Sequence, residues 1–283
     1  MSFVAIIGAG DLGGITCQAI AALGAAREIR LIDAAAQAAS GKALDIAQAA
    51  FSNGYTTQIT ASGDVRAAAG ADAIVIADAF GPPSKEWQGD DGLALLRRIW
   101  SIAAVDRGVI VCAGAAQATL IARAVRELRI DRRRIIGTAA AAFESAARAL
   151  VAPALDGAGT DIGLMVVGAP PSGFVPCWSQ ATVGGEALTA RLSAAQLAAV
   201  DARLPRLWPP APYALGSTAA QAVGAILRGA RRELTTLVAL DGEMKMRGVV
   251  AALPVRLGPQ GVVRIVEPAL SVQERVKFEN GAV

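Results

Sequence analysis

The chain has 283 residues, a net charge of +3, 54% hydrophobic residues, only 4% aromatics and a mean hydropathy of +0.45. That length suits one large domain or two smaller ones sharing a core. Arg, Asp, Glu or Gly interrupts every apolar stretch before bilayer-spanning length, and no signal-like segment opens the chain, so a soluble protein is expected. The arginine clusters at Arg129, Arg132, Arg133 and Arg134 and at Arg228, Arg231 and Arg232 lack interleaved aromatics, which points away from nucleic acid.

In chain order, FVAIIG, REIRLID, ADAIVIAD, GVIVCAG and RRIIGT read as buried strands rich in Val and Ile. Between them, TCQAIAALG, GKALDIAQAAF, LALLRRIWSIAA and TLIARAVRELR place apolar residues three and four apart, as helices do. Such alternation predicts a parallel sheet with helices on both faces. In the second half, DIGLMVVG, FVPCWSQATVGG, LTTLVALDGE, VVAALPVRLG and GVVRIVEPAL read as antiparallel strands. LPRLWPPAPYALG reads as a rigid surface connection, and Ser271 and Glu274 have the spacing of a capping box opening the last helix. The change of character places a domain boundary near residue 139.

The chain contains no histidine, so any mechanism must run without imidazole, the usual proton carrier and metal ligand at neutral pH. Cys17, Cys112 and Cys177 are dispersed and odd in number, which suits reduced thiols in the cytoplasm and gives no metal spacing.

Gly8, Gly10 and Gly13 stand in G-x-G-x-x-G spacing between the first strand and a helix. They fit a tight turn, a close backbone approach to a pyrophosphate, and helix–strand packing. With Asp11 and Leu12 they form the expected cofactor turn. Asp33, ending the second strand, suits a ribose hydroxyl and repels a 2′-phosphate, favouring NAD over NADP.

From these glycines onward the chain resembles the lactate/malate dehydrogenase family. GKALDIAQA, ADAIVIADAF, RRIIGT with FESAARAL, VVGAPPSGFVPCWSQATVGG, LDGE, LPVRLG and GVVRIVEPAL follow the family's order. The resemblance implies a Rossmann-type doubly wound parallel sheet over residues 1–139. A mixed α/β substrate domain over 140–283 and a homodimer or homotetramer are implied with it. It also sets Ala77 and Asp78 beside the dinucleotide, where the family has a small Ala-Gly stretch. Asp78 there would hydrogen-bond a ribose or repel the pyrophosphate.

The departures fall on the chemistry. Gly168, Ala169, Pro170 and Pro171 stand where the family's catalytic loop has G-E-H-G, so proline holds the histidine's place. Phe143 to Ala147 match the family's L-D-S-A-R if one residue is inserted, which puts Glu144 at the carboxylate and Ala147 at the substrate-clamping arginine. Without the insertion, Ala146 takes the arginine's position. On the loop at 81–92, Gly92 replaces an arginine and Lys85 is the basic residue, while Ala113 and Gly114 replace an asparagine–proline pair. Proline has no proton to give, and alanine makes no bidentate contact with a carboxylate.

Glu144 is therefore read either as a remnant paired with Arg148 or as a catalytic group stabilising a cationic substrate such as an imine. Tyr55, Tyr213 and Lys245 are read as structural or solvated. Two outcomes are expected: an NAD-dependent oxidoreductase with a rebuilt pocket for an imine or other non-2-oxo-acid substrate, or a catalytically silent member that senses NAD or serves as a structural partner. A polar, enclosed pocket would mark the first. A space filled with side chains would mark the second.

Overall fold

A computed structural model describes residues 2–83, 85–102, 108–155 and 161–281. The first half runs β1 (Phe3–Ile7), α1 (Asp11–Ala22), β2 (Glu28–Ile32), α2 (Ala36–Gln48), α3 (Ala50–Asn53), β3 (Gln58–Ser62), β4 (Ala73–Ile76), β5 (Asp78–Ala79), β6 (Lys85–Glu86), α4 (Gly89–Trp100), β7 (Val109–Cys112), α5 (Ala118–Glu127) and β8 (Ile135–Gly137). The second half adds α6 (Ala139–Val151), β9 (Ile162–Gly163), β10 (Val166–Ala169), β11 (Gly173–Pro176), β12 (Thr182–Val183), β13 (Glu186–Ala187), α7 (Leu188–Arg191), α8 (Ala194–Asp201), α9 (Pro212–Arg228), β14 (Leu234–Asp241), β15 (Arg247–Gly258), β16 (Gly261–Ile265) and α10 (Val272–Gly281).

Strands β4, β7 and β8 are buried at every position, as unbroken Val/Ile runs require when helices cover both faces. They join β1, β2 and β3 in a parallel set ordered β3-β2-β1-β4-β7-β8. Beyond β8 the same sheet continues antiparallel through β14, β15, β10 and β11, with β16 also on β15. The seam is the pairing of Gly137 with Leu237. The result is a Rossmann-type α/β sheet carrying a mixed α/β second half. Its direction of winding reverses between β1 and β4, which opens a crevice at their carboxyl ends.

Several expectations shift in detail. The strand read from ADAIVIAD stops at Ile76, and Asp78 opens a separate two-residue strand. Helix α2 begins at Ala36, ahead of the predicted Gly41. The tail of the predicted helix at 103–104 lies outside the described residues. LPRLWPPAPYALG is only partly a connection, because Pro212 occupies the first turn of α9, where its missing N–H leaves nothing unpaired. The capping box at Ser271 and Glu274 forms in both directions, at 3.4 and 2.9 Å. Glu274 also accepts from the Ser179 amide and hydroxyl, tying α10 to the segment after β11.

An alanine-rich, aromatic-poor chain packs by close approach. Helix α1, from the parallel half, lies against α9 from the second half at Gly216. A Cβ there would come within 2.7 Å of Ile15 Cγ2 and 3.1 Å of the Thr16 amide. Gly216→Val should force the helices apart and lower stability by about 1–3 kcal/mol. Urea denaturation measures this, and an unchanged midpoint would mean that the two helices do not meet at this position.

Candidate dinucleotide and substrate site

The turn from β1 to α1 passes through Gly8, Ala9 and Gly10 beside the exit of β4. Gly10 is the N-cap of α1 and has no side chain to accept from the helix's first amides. Asp78 performs that task from the neighbouring chain segment. Its Oδ1 accepts from Gly13 N at 2.8 Å, its Oδ2 accepts from Leu12 N at 3.2 Å, and its carbonyl accepts from Gly10 N at 3.0 Å. The residue is only 4% exposed, and a Cβ on Gly10 would overlap its carboxylate. The close approach expected of a pyrophosphate is thus made by an aspartate of the chain itself.

The other cofactor candidates surround this contact. Asp33 is buried, with Oδ2 accepting from Ala9 N and Phe80 N, each at 2.8 Å, and Oδ1 from Ala35 N at 2.9 Å. Ala77 is fully buried, and its amide donates to the Ile7 carbonyl at 3.0 Å. Asp11 faces solvent, 4.0 Å from Lys42 Nζ, and Lys42 donates to the Gly10 carbonyl at 2.7 Å. The geometry therefore gathers Gly8, Gly10, Leu12, Gly13, Asp33, Ala77 and Asp78 and leaves Asp11 outside.

Sequence reasoning missed a second carboxylate. Asp78 pairs with Glu86 across the β5–β6 ladder. Glu86 accepts from Ala115 N at 3.0 Å and Ala116 N at 2.8 Å, in the loop that follows β7. Gln117 completes the join, accepting from Gly114 N at 2.9 Å and donating to the Trp87 carbonyl at 3.1 Å. Strands of two residues carry no periodicity, so no pattern in the sequence marks Glu86. Lys85 faces solvent, 3.6 Å from Asp91.

On the substrate side, α6 presents Phe143 to the strand pair. Its ring stacks on Phe174 at a centroid distance of 4.7 Å, and Trp208 closes on both at 6.1 and 5.0 Å. Phe174 stands directly across from Gly168, two residues before Pro170. Glu144 lies on another face of the helix. It accepts from Thr235 Oγ1 at 2.6 Å and Val166 N at 3.2 Å, and it pairs with Arg148, which also donates to the Leu164 carbonyl at 2.9 Å. Val166 is at the end of β10 away from Pro170. Glu144 thus has the arginine partner that the structural reading expected.

Among the other proton-donor candidates, Tyr55 is buried against the Ile46 carbonyl, and Tyr213 is exposed. Burial pushes the thiols of Cys17, Cys112 and Cys177 up to about 12, so none is a ready nucleophile at neutral pH. Among the described residues no group of three or more Cys, Asp or Glu side chains is placed to hold a metal ion. No helix among them is long and apolar enough to cross a membrane.

Residues 3–104 match the lactate/malate dehydrogenase NAD binding domain, and residues 208–282 match the lactate/malate dehydrogenase alpha/beta C-terminal domain. Over 295 aligned residues the chain is 31% identical to a malate dehydrogenase of Thermomicrobium roseum, covering 99% of this chain and 94% of that protein. The chain belongs to the lactate/malate dehydrogenase family. A malate dehydrogenase structure from Salinibacter ruber has a TM-score of 0.86 at 24% identity, covering 99% of this chain and 93% of that one. A lactate dehydrogenase from Cryptosporidium parvum, solved with lactic acid and NAD, has a TM-score of 0.87 at 18% identity, covering 99% and 94%. At those identities the two structures establish the shared fold.

The family's NAD-binding domain is therefore present, and NAD is the cofactor that belongs to it. The glycine turn, the α1 amides and Asp33 suit a dinucleotide. Asp78 does not: its carboxylate already takes the amides that would receive the pyrophosphate, and it would set like charges together.

Burial raises the Glu144 carboxyl above its ordinary value, although Arg148, Thr235 and the Val166 amide all pull the other way. The native state then holds this proton more tightly than the unfolded chain, so the group's contribution is present in acid and is lost as pH rises through the folded value. The stability of the wild-type chain minus that of Glu144→Gln should fall as pH rises from roughly 4 to 8, starting near the ordinary carboxylate value. Urea titrations across that range measure the difference, and a difference that grows with pH would contradict the assignment.

Proposed function

We propose that the chain is a non-conventional member of its family, a pseudo-dehydrogenase of the cytoplasm that forms a homodimer or homotetramer and turns over neither lactate nor malate. The observation that carries this reading is the stack of Phe143, Phe174 and Trp208 beside the loop where Pro170 stands. Reduction of a 2-oxo acid needs a cation for the carboxylate and an acid for the nascent alkoxide. Three aromatic rings supply neither. Pro170 has no proton, and Ala146 or Ala147 stands at the position of the clamping arginine. The chain keeps the family's scaffold and glycine turn, which suits a role in sensing NAD or in supporting a partner subunit.

A second reading, reduction of an imine or other non-2-oxo-acid substrate, draws on Glu144. That carboxylate lines a cavity of about 580 Å³ together with Arg148, Gln180, Gln221, Arg232 and Thr235. Glu233 is the cavity's other acid, set with Glu144 against Arg148 and Arg232, and the two acids would hold the cation of such a substrate.

Both readings meet in one assay. Purified protein with NADH, followed at 340 nm against pyruvate, oxaloacetate and a cyclic imine, should show no turnover of any of the three. Oxaloacetate or pyruvate reduction at about 1–10³ s⁻¹, the ordinary enzymatic range, would overturn the proposal. Imine reduction that Glu144→Gln abolishes would establish the second reading in its place.

A further inference from the structure

We infer that Asp78 is a built-in occupant of the dinucleotide's phosphate position, so that binding of NAD and the Asp78 cap on α1 exclude one another. This stands on the geometry of the glycine turn and holds whether or not the chain catalyses a reaction.

Three observations converge on it. The first is the set of contacts. Gly13 N, Leu12 N and Gly10 N, the amides a pyrophosphate would take, all donate to Asp78, at 2.8, 3.2 and 3.0 Å. An α-helix amino terminus attracts one anion cluster, and here the chain supplies it. The second is space. The face of Gly10 that the motif leaves bare is covered by the Asp78 carboxylate so closely that even a Cβ would not fit. A phosphate and this carboxylate do not share that volume.

The third is that the contact is not isolated. Opposite Asp78 on the β5–β6 ladder, Glu86 takes the Ala115 and Ala116 amides of the loop after β7. The Phe80 amide, two residues beyond Asp78, occupies the same Asp33 oxygen as Ala9 N. The segment holding both acids is therefore joined to the glycine turn, to the ribose-type carboxylate and to the loop after β7. The joins to the α1 amides and to Asp33 use groups that a dinucleotide would otherwise engage. NAD must displace these contacts and face two like charges before it reaches the α1 amides.

The experiment is NADH titration by fluorescence on the full chain, comparing wild type, Asp78→Ala and Asp78→Asn. Asp78→Asn retains an oxygen that can accept from Gly13 N and so protects the fold if the alanine variant fails, and thermal melting verifies that each variant is folded. Removing one buried like charge should tighten NADH binding at least about ten-fold in Asp78→Ala, with a smaller gain in Asp78→Asn. Inorganic pyrophosphate should compete with NADH in the alanine variant. Equal affinity across the three proteins, including no binding in any of them, overturns the inference. Turnover is read separately at 340 nm, so a failure of the pseudo-dehydrogenase reading does not affect this result.

Discussion

The amino terminus of α1 needs an acceptor, and everything around the crevice follows from which group provides it. Gly10 is the N-cap and has no side chain to offer, so the helix has no side-chain cap of its own. In a dinucleotide-binding site of this geometry a phosphate completes the helix. In this chain Asp78 completes it, drawn from the exit of β4, the strand beside β1. Once Asp78 is fixed there, the chain turns into the β5–β6 ladder instead of extending β4, and Glu86 arrives at the loop after β7. One carboxylate thereby settles the end of a strand, the start of a helix and the contents of the crevice.

The substrate side shows the same kind of replacement by different means. On the proposed reading, packed aromatic rings beside the β10–β11 turn take the place of the charge a hydroxy-acid dehydrogenase needs. A chain with only 4% aromatics has placed Phe143, Phe174 and Trp208 together, joining α6, β11 and the segment before α9. They bridge two hydrophobic clusters among the described residues, for Phe174 and Trp208 pack against both. The rings thereby add cohesion between the halves.

Much of this architecture was legible beforehand. Val/Ile runs such as AIVI and VIVC leave little choice but buried parallel strands, and the glycine spacing fixed the turn and the start of α1. Pro170, Ala146 and Ala147 carry the proposal that acid and clamp are gone, which rests on the resemblance and on no contact in the structure. What the sequence withheld were contacts between residues distant along the chain. Asp78 was flagged as able either to bind a ribose or to repel a pyrophosphate, but its role as a cap depends on a meeting with Leu12 and Gly13 more than sixty residues away. Glu86 depends on two-residue strands below the reach of any periodicity, and Trp208 lay in a proline-rich stretch that read as surface. Glu144 carried two readings because a carboxylate four residues before Arg148 suits either an ion pair along the helix or a cationic substrate. The helix resolves the contacts: Phe143 faces Phe174, and Glu144 faces Arg148 and Thr235.

The most direct test is a crystal structure grown with saturating NADH. The account predicts one of two arrangements: Asp78 on the Leu12 and Gly13 amides with no pyrophosphate beside them, or pyrophosphate on those amides with the Asp78 carboxylate moved out of the glycine turn. Pyrophosphate seated on the α1 amides while Asp78 keeps its bonds to Leu12 and Gly13 would contradict it.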